Sequence, residues 1–420
     1  MRIAVVGAGV VGTSVAWELT ARGHRVVLID RAPEVAQETS YANGAQLHAG
    51  HAAPWNPPGV LFDALRWLGR SDSPLRIHPG RVLRAPSWSL RFLANATSRR
   101  YRNHARANAR LAEYGVRSTR HWREELGLQF EGRDSGILKL FDDPRTLEHG
   151  QREAEAVREL GIEHRLLTRD EAIEREPALA AGADQLAGAI EFPGDGCGDA
   201  LLFTQELARR ATEHGAALQL GTTVRRVLGG HAGADGLETD HGTVEADQIV
   251  LAAGSYAPAL ARPLGIRLPI EPIKGYSVTL SLDGIEGAPN TPIIDDARKV
   301  VVTRLGNRLR IAGKAEICGF DTALDERRWR AVREQGLSRF PGLAEQLADA
   351  PSEPWAGLRP MSCDGPPILG PTGVPRLHLA CGVGHLGWTF AAGSARLVAD
   401  QLEGRTCDID PAPYRFDRFR

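Results

Sequence analysis

The opening of the chain constrains its fold more than any other stretch. Ile3-Ala4-Val5-Val6 is a short apolar strand, and Gly7-Ala8-Gly9-Val10-Val11-Gly12 follows it directly as a G-x-G-x-x-G turn. Val11, Val15, Ala16 and Leu19 then recur at helical spacing, Gly23 supplies a helix stop, and Val26 to Ile29 form a second strand ending in Asp30. Strand, glycine turn, helix and strand make a βαβ unit with the physical logic of a dinucleotide site. Gly7 permits the tight turn, Gly9 lets backbone approach a pyrophosphate, and Gly12 lets helix and strand pack closely. The helix N-terminus offers N–H donors to phosphates, and Asp30 is placed to accept hydrogen bonds from an adenosine ribose. NAD and FAD share the ADP half that such a unit reads.

The continuation favours FAD. After Asp30 the chain enters a polar, small-residue loop, Glu38-Thr39-Ser40-Tyr41-Ala42-Asn43-Gly44-Ala45-Gln46, followed by His48 and His51. A long flavin cofactor draws its binding groups from several distant segments. Two such segments are present. Ile249 to Gly254 reads as an apolar strand ending in Ala-Ala-Gly. Gly382-Val383-Gly384-His385-Leu386-Gly387-Trp388-Thr389 lies between a strand, Leu377 to Ala380, and a helix, Trp388 to Leu402. Its glycine N–H groups and positive helix end suit the electron-rich edge of a reduced isoalloxazine.

At 420 residues and about 150 residues per domain, two or three domains are expected. Lys and Arg total 51 against 52 Asp and Glu, which gives no support for a general polyanion binder, so no nucleic-acid partner is expected. The five cysteines, Cys197, Cys318, Cys363, Cys381 and Cys407, are scattered, odd in number and lack any C-x-x-C pair. Neither a zinc site nor a disulfide framework follows, and a reducing, cytoplasmic location is expected. The uncharged run after Arg2 holds three glycines and continues into a helix, so it reads as mature protein, not a leader. Leu377 to Ala395 is uncharged for nineteen residues but contains two His and four Gly, which suits strand, turn and helix better than a membrane span.

Charge is unevenly spread. Residues 57–106 hold ten Arg against only Asp63 and Asp72, a local balance of +8, interleaved with Leu61, Phe62, Trp67, Leu68, Trp88, Leu90, Phe92 and Leu93. The pattern fits a solvated helical face over a core stripe. It also fits a peripheral surface for anionic lipid on the inner face of the cell membrane, with arginine stems snorkelling beside buried aromatics.

Elsewhere, Asp199 to His214 reads as a helix closed by Gly215, and Leu218 to Leu228, Leu237 to Asp240 and Val244 to Leu251 as strands returning to the cofactor domain. Gly136 to Phe141, Tyr276 to Leu282, Lys299 to Arg304 and Arg308 to Ala312 read as strands of a second domain. The glycine-rich patch Gly229 to Ala234 reads as a hairpin loop.

With these residues in view, the chain resembles the FAD-dependent D-amino acid dehydrogenases of small-subunit type, within the wider D-amino acid oxidase-like family. The words that carry the resemblance are Ser40-Tyr41-Ala42-Asn43-Gly44-Ala45-Gln46, Ala52-Ala53-Pro54-Trp55, Leu202-Phe203-Thr204-Gln205, Pro272-Ile273-Lys274-Gly275-Tyr276-Ser277 and Trp355-Ala356-Gly357-Leu358-Arg359-Pro360-Met361, with Asp364-Gly365-Pro366-Pro367 and Leu386-Gly387-Trp388-Thr389. The resemblance implies an α/β flavoprotein of two domains. One is a Rossmann-like FAD-binding domain assembled from 1–52, 196–268 and 355–420; the other is a substrate domain, 53–195 and 269–354, with a mostly antiparallel sheet. It further implies FAD contacts from Gly7, Ala8, Gly9, Val10, Val11, Gly12, Asp30, Arg31, Ser40, Asn43, Gly44, Ala45, Gln46 and Leu47. Val224, Ala253, Gly254, Gly357, Gly384, His385, Leu386, Gly387, Trp388 and Thr389 complete that set. Two departures touch the flavin neighbourhood: Val383 stands where relatives often carry His, with His385 two positions on, and His48 and His51 replace smaller or aromatic residues.

The activity so implied is oxidative deamination of a D-amino acid, with hydride passing from Cα to flavin N5 and hydrolysis of the imine to a 2-oxo acid and ammonia. A quinone is the implied electron acceptor. Positioning dominates such chemistry. Arg359 offers a planar fork for the substrate carboxylate. Tyr276 is a candidate for a second carboxylate contact or the side-chain pocket, and His48, His51 and His385 for contact with flavin or amine. Covalent flavin attachment through His48 is not expected. A secondary-amine dehydrogenase acting on D-hydroxyproline, D-proline or sarcosine, a tRNA-modifying flavoprotein using the basic segment, and a non-catalytic electron carrier are the alternatives.

Overall fold

The computed structural model describes the whole chain except residues 63–72, 79, 81–84, 231–232 and 420. Trp67, Leu68 and part of the basic segment therefore lie outside the described residues. Arg2–Val6 forms the centre of a six-stranded sheet, hydrogen-bonded in parallel to Arg25–Ile29 on one side and Gln248–Leu251 on the other. Ala217–Gln219 extends it beyond Arg25–Ile29, and Leu377–Cys381 with the antiparallel Ile368–Pro371 beyond Gln248–Leu251.

Alternation sorts the side chains of this sheet. Ile3, Val5, Val26, Leu28 and Val250 enter a core built with the helices Val10–Ala21, Ala200–Glu213 and Gly387–Glu403. Ala4, Val6, Ile249, Leu251 and Leu379 face a second core, covered by the three-stranded sheet Val224–Gly230, Gly233–Thr239 and Gly242–Glu245. Asp199 caps its helix by accepting the Leu201 N–H at 2.9 Å. The 29-residue helix Ser98–Leu126 lies across Gly387–Glu403. Gly115 makes that crossing, since a Cβ there would stand 2.1 Å from the Thr389 carbonyl oxygen.

The second layer is a nine-stranded mixed sheet. Its order runs Ser352–Ser362, Ile270–Ser281, Arg308–Ile317, Val300–Leu305, Ile293–Asp295, Ile137–Phe141, Gly188–Phe192 and Arg165–Leu167, with Leu75–Ile77 paired to Arg308–Ile317. Pairing is antiparallel except between Ile293–Asp295 and Ile137–Phe141, and at Leu75–Ile77. Leu138, Leu140, Tyr276, Val278, Leu280 and Ile311 turn to one face and pack on the helices Glu326–Leu337 and Pro341–Gln346. The other face looks into the cavity described below.

Several strand boundaries differ from the expectation. The strands read from Leu218 to Leu228 and from Val244 to Leu251 are each two strands in different sheets, Ala217–Gln219 and Val224–Gly230, and Gly242–Glu245 and Gln248–Leu251. In the patch Gly229 to Ala234, Gly229 pairs with Ala234 and Gly230 with Gly233 as strand, and residues 231–232 lie outside the described residues. Ser352–Ser362 hydrogen-bonds along its whole length to Ile270–Ser281.

Candidate active site

A cavity of about 1210 Å³ is lined by residues of both sheets. It exceeds the roughly 300–1,000 Å³ of a drug-sized pocket and so has room for a dinucleotide and a small second molecule. At one end stands the glycine turn. Gly7 has φ +108°, and a Cβ there would sit 2.6 Å from the Ala252 carbonyl oxygen; at Gly12 it would sit 1.8 Å from the Gly7 oxygen. These two glycines close the backbone packing. Gly9 differs: a Cβ would meet only the Ser40 hydroxyl, at 3.4 Å, so its open side is the cavity. Ser40 accepts the Val10 N–H at 2.9 Å and ties the polar loop to the helix N-terminus.

Asp30 lines the cavity, and its two carboxylate oxygens accept the Ala8 N–H at 2.6 Å and the Ala32 N–H at 2.8 Å. Each oxygen retains a lone pair for a hydroxyl donor. The Arg31 guanidinium lies 3.9 Å over the Tyr256 ring and pairs with Glu38.

The loop from Asn43 to Leu47 is locked from several sides. Asn43 accepts the Ala45 N–H at 2.9 Å, Thr303 donates to the Gly44 carbonyl at 2.9 Å, and Gln46 donates to the Ile293 carbonyl at 3.0 Å. Gln46 and Leu47 form a two-residue strand against Gly196–Cys197. Immediately after it, the buried Asp195 carboxylate accepts the N–H groups of Ala49 at 2.8 Å and Gly50 at 3.2 Å, fixing the turn that carries His48 and His51. Burial raises the Asp195 carboxyl to about 7 despite those two donors.

Of the sequence-predicted cofactor residues, Gly7, Gly9, Val10, Val11, Asp30, Arg31, Ser40, Asn43, Gly44, Ala45, Gln46, Val224, Ala253, Gly254, Gly357, Gly384, His385, Gly387 and Trp388 border the cavity. Ala8, Gly12, Leu47, Leu386 and Thr389 stand behind that wall. Ala8 holds Asp30, Gly12 packs on Gly7, and the Thr389 hydroxyl accepts the His48 N–H at 3.3 Å.

Away from the glycine turn the wall is rich in cations and imidazoles. Arg359 sits on the edge strand Ser352–Ser362 and donates to the Lys314 carbonyl at 3.0 Å, with its guanidinium 5.3 Å from the Trp55 ring centre. Lys314 has φ +58°, a left-handed bend that accompanies this contact. Among the described residues no carboxylate pairs with Arg359, and burial alone lowers its pKa to about 10. A Cβ on Gly275, across the strand pair, would fall 2.2 Å from the guanidinium, so that glycine makes its space.

Trp55 stacks on His385 at 4.9 Å, and His48 stacks on His51 at 5.7 Å. Burial, then the charges of His48 and Arg359, lower His385 to about 3; burial, then Lys139, lower His48 to about 4. Lys139, then burial, holds His51 well below the usual range. All three imidazoles are neutral at pH 7.

Tyr276 borders the cavity but stands on the strand face opposite Arg359. The Ile270–Ser281 to Ser352–Ser362 register pairs Ile273 with Arg359 and Tyr276 with Ala356, which are opposite faces of the sheet. The Tyr276 ring accordingly lies in the outer core with Val278 and Leu280, 5.5 Å from the Lys274 ammonium. The odd-number step from Ile273 to Tyr276 separates the ring from the Arg359 face, while the residue keeps its place on the cavity wall.

Trp55, Lys139, Asp195, Asp296 and Lys299 escaped the sequence reading as site residues. Lys139 carried a signal: it is the only charge in the apolar strand Ile137-Leu138-Lys139-Leu140-Phe141. A lysine there must either face solvent or serve a cavity.

A cavity that opens on a dinucleotide cradle and continues well beyond it defines a nucleotide-cofactor enzyme. Comparison specifies the cofactor: the model of the FAD-dependent oxidoreductase family matches residues 2–401, and the chain belongs to that family. It is 74% identical over 219 residues to an uncharacterized oxidoreductase of Halorhodospira halophila, covering 52% of this chain and all of that one. It is 41% identical to a D-amino acid dehydrogenase of Cereibacter sphaeroides, over 100% of this chain and 95% of that protein. In fold it is similar to L-proline dehydrogenase from P. horikoshii, with a TM-score of 0.78 at 22% identity over 100% of this chain and 98% of the other. The residues present fit FAD: a glycine at Gly9 whose open side faces the cavity, the Asp30 carboxylate on the same wall, and a lining that includes the Gly384–His385 turn.

Proposed function

We propose that the protein oxidises D-amino acids to 2-oxo acids and ammonia and delivers the electrons to a quinone-type acceptor. The observation that carries the reading is Arg359: a guanidinium facing the cavity with no carboxylate partner among the described residues. An uncompensated cation in a desolvated wall is unfavourable, and a substrate carboxylate relieves it. The full-length likeness to a protein named D-amino acid dehydrogenase supports the same substrate class. Bound FAD supplies the two-electron acceptor, held by the segments 1–52, 196–268 and 355–420 around the glycine turn.

The chain's own groups then bind and orient. Arg359 fixes the α-carboxylate, and the neutral His385 and His48 present acceptor nitrogens to the amine, which must shed a proton before its lone pair can assist oxidation. Nδ1 of His48 has no protein partner among the described residues. The aromatic and apolar residues beside them limit water around the Cα–H.

The acceptor side of the reading rests on the surface. Phe62 and Leu90 are 73% and 69% exposed, Leu61 and Leu93 are exposed beside them, and Leu61 and Leu93 also border the cavity. Among the described residues no helix is long and apolar enough to cross a membrane. An apolar, arginine-flanked mouth suits peripheral contact with anionic lipid and a lipid-soluble acceptor. Anaerobic titration of the flavoprotein with D- and L-amino acids tests the substrate: bleaching by D-alanine and not L-alanine is expected, and comparable bleaching by L-isomers, or by sarcosine and D-proline alone, overturns it. Turnover with a soluble ubiquinone analogue, compared with oxygen, tests the acceptor.

A further inference from the structure

Besides Arg359, His385 and His48, the cavity is lined by a second group of charged residues. Lys139 is 5% exposed, on the cavity face of its strand. Its ammonium lies 3.3 Å from Asp296 and 3.3 Å from Nδ1 of His51. Lys299 borders the same space and holds Asp296 at 3.0 Å. The neighbouring Asp295 is occupied by Arg339 at 3.0 Å and Arg298 at 3.1 Å. Glu153, further along, accepts from the Tyr101 hydroxyl at 3.2 Å and lies 3.6 Å from His149.

Two lysines therefore share the Asp296 carboxylate, and these three groups together carry a positive charge. An ammonium has three donors. One proton of Lys139 goes to Asp296 and one to His51, which leaves a third for a ligand. A neutral His51 that accepts at Nδ1 carries its proton on Nε2 and is a donor there. His48 stacks on His51 and helps hold its ring.

We propose that Lys139, with His51, forms the second half of the substrate pocket and selects substrates with a second carboxylate, of D-glutamate or D-aspartate type. The α-carboxylate goes to Arg359 and the side-chain carboxylate to Lys139. A cationic side chain meets the same wall as a repulsion, so D-lysine and D-arginine are rejected. This assignment deepens the D-amino acid reading and rests on it.

The test compares kcat/KM for D-glutamate against its neutral isostere D-glutamine, in the FAD-loaded wild type and in Lys139→Gln and Asp296→Asn. Wild type should favour D-glutamate by about 10-fold or more, the range of a charge-assisted hydrogen bond in a partly desolvated site. Lys139→Gln should bring the ratio to near unity or below. Asp296→Asn, which frees both lysines, should raise it. D-glutamine turned over as well as D-glutamate by the wild type overturns the assignment, as does a ratio that Lys139→Gln leaves in place. If Lys139→Gln fails to retain flavin, Asp296→Asn decides, and an unchanged or lower ratio in it counts against the proposal. Reduction by D-alanine without any D-glutamate preference removes only the second-carboxylate site, whereas no reduction by any D-amino acid removes the parent reading with it.

Discussion

Single residues separate binding of substrate from binding of cofactor. Arg359→Lys keeps the charge but loses the planar pair of donors, and truncating a buried charge pair costs about 2–5 kcal/mol. A loss of roughly 30-fold or more in kcat/KM for D-alanine is expected, with the flavin spectrum intact. Near-normal turnover by Arg359→Lys or Arg359→Ala would remove this residue from the mechanism. The glycines of the first turn divide in the same way. Gly9→Val has room within the protein but fills the cavity, so flavin content should fall to near zero while the fold survives in circular dichroism. Gly7→Val and Gly12→Val drive a side chain into backbone at 2.6 and 1.8 Å and should yield insoluble chain. Gly9 and Arg359 were legible because each belongs to a word with its own physical logic. Lys139 was not, because its meaning depends on Asp296 and His51 arriving from two other segments.

At the scale of elements, the paired strands Ile270–Ser281 and Ser352–Ser362 carry the carboxylate site. Gly275→Ala places a methyl group where the Arg359 guanidinium lies, so KM for D-alanine should rise about tenfold or more with flavin content unchanged; an unaltered KM would show that the arginine holds substrate from another position. The sequence pattern found the first of these strands only from Tyr276 onward, since Pro272 and Gly275 interrupt its apolar run. It missed the second, in which Pro354 and Pro360 argue against a strand. The structure resolves the conflict: Ser352–Ser362 is the sheet's edge, where a missing N–H is tolerated. The βαβ opening was legible because its pattern is local. The split of Leu218 to Leu228 was not, because nothing in eleven residues says that their two halves join different sheets.

For the whole molecule, pH sensitivity follows from the buried imidazoles. Burial lowers His48 and His378 to about 4 and His385 to about 3, below the unfolded value near 6.5, so the folded state binds fewer protons than the unfolded one in that window. Their contribution is present above pH 6.5 and is lost as pH falls through 4 and 3. Asp195, raised to about 7, works in the opposite direction between about pH 4 and 7, as one group against three. Thermal midpoints should therefore rise from pH 4.5 to 6.5, and Asp195→Asn should steepen that rise; a flat or falling profile would contradict the burial of the histidines. The cofactor sheet has one further consequence, for synthesis. Leu377–Cys381 completes it beside Gln248–Leu251, which in turn borders Arg2–Val6. The nucleotide cradle thus lacks this strand until residue 381 has been synthesised, and the helix Gly387–Glu403 follows later still. Arg2–Val6 is therefore made long before Leu377–Cys381, and the sheet that carries the cradle closes late in synthesis.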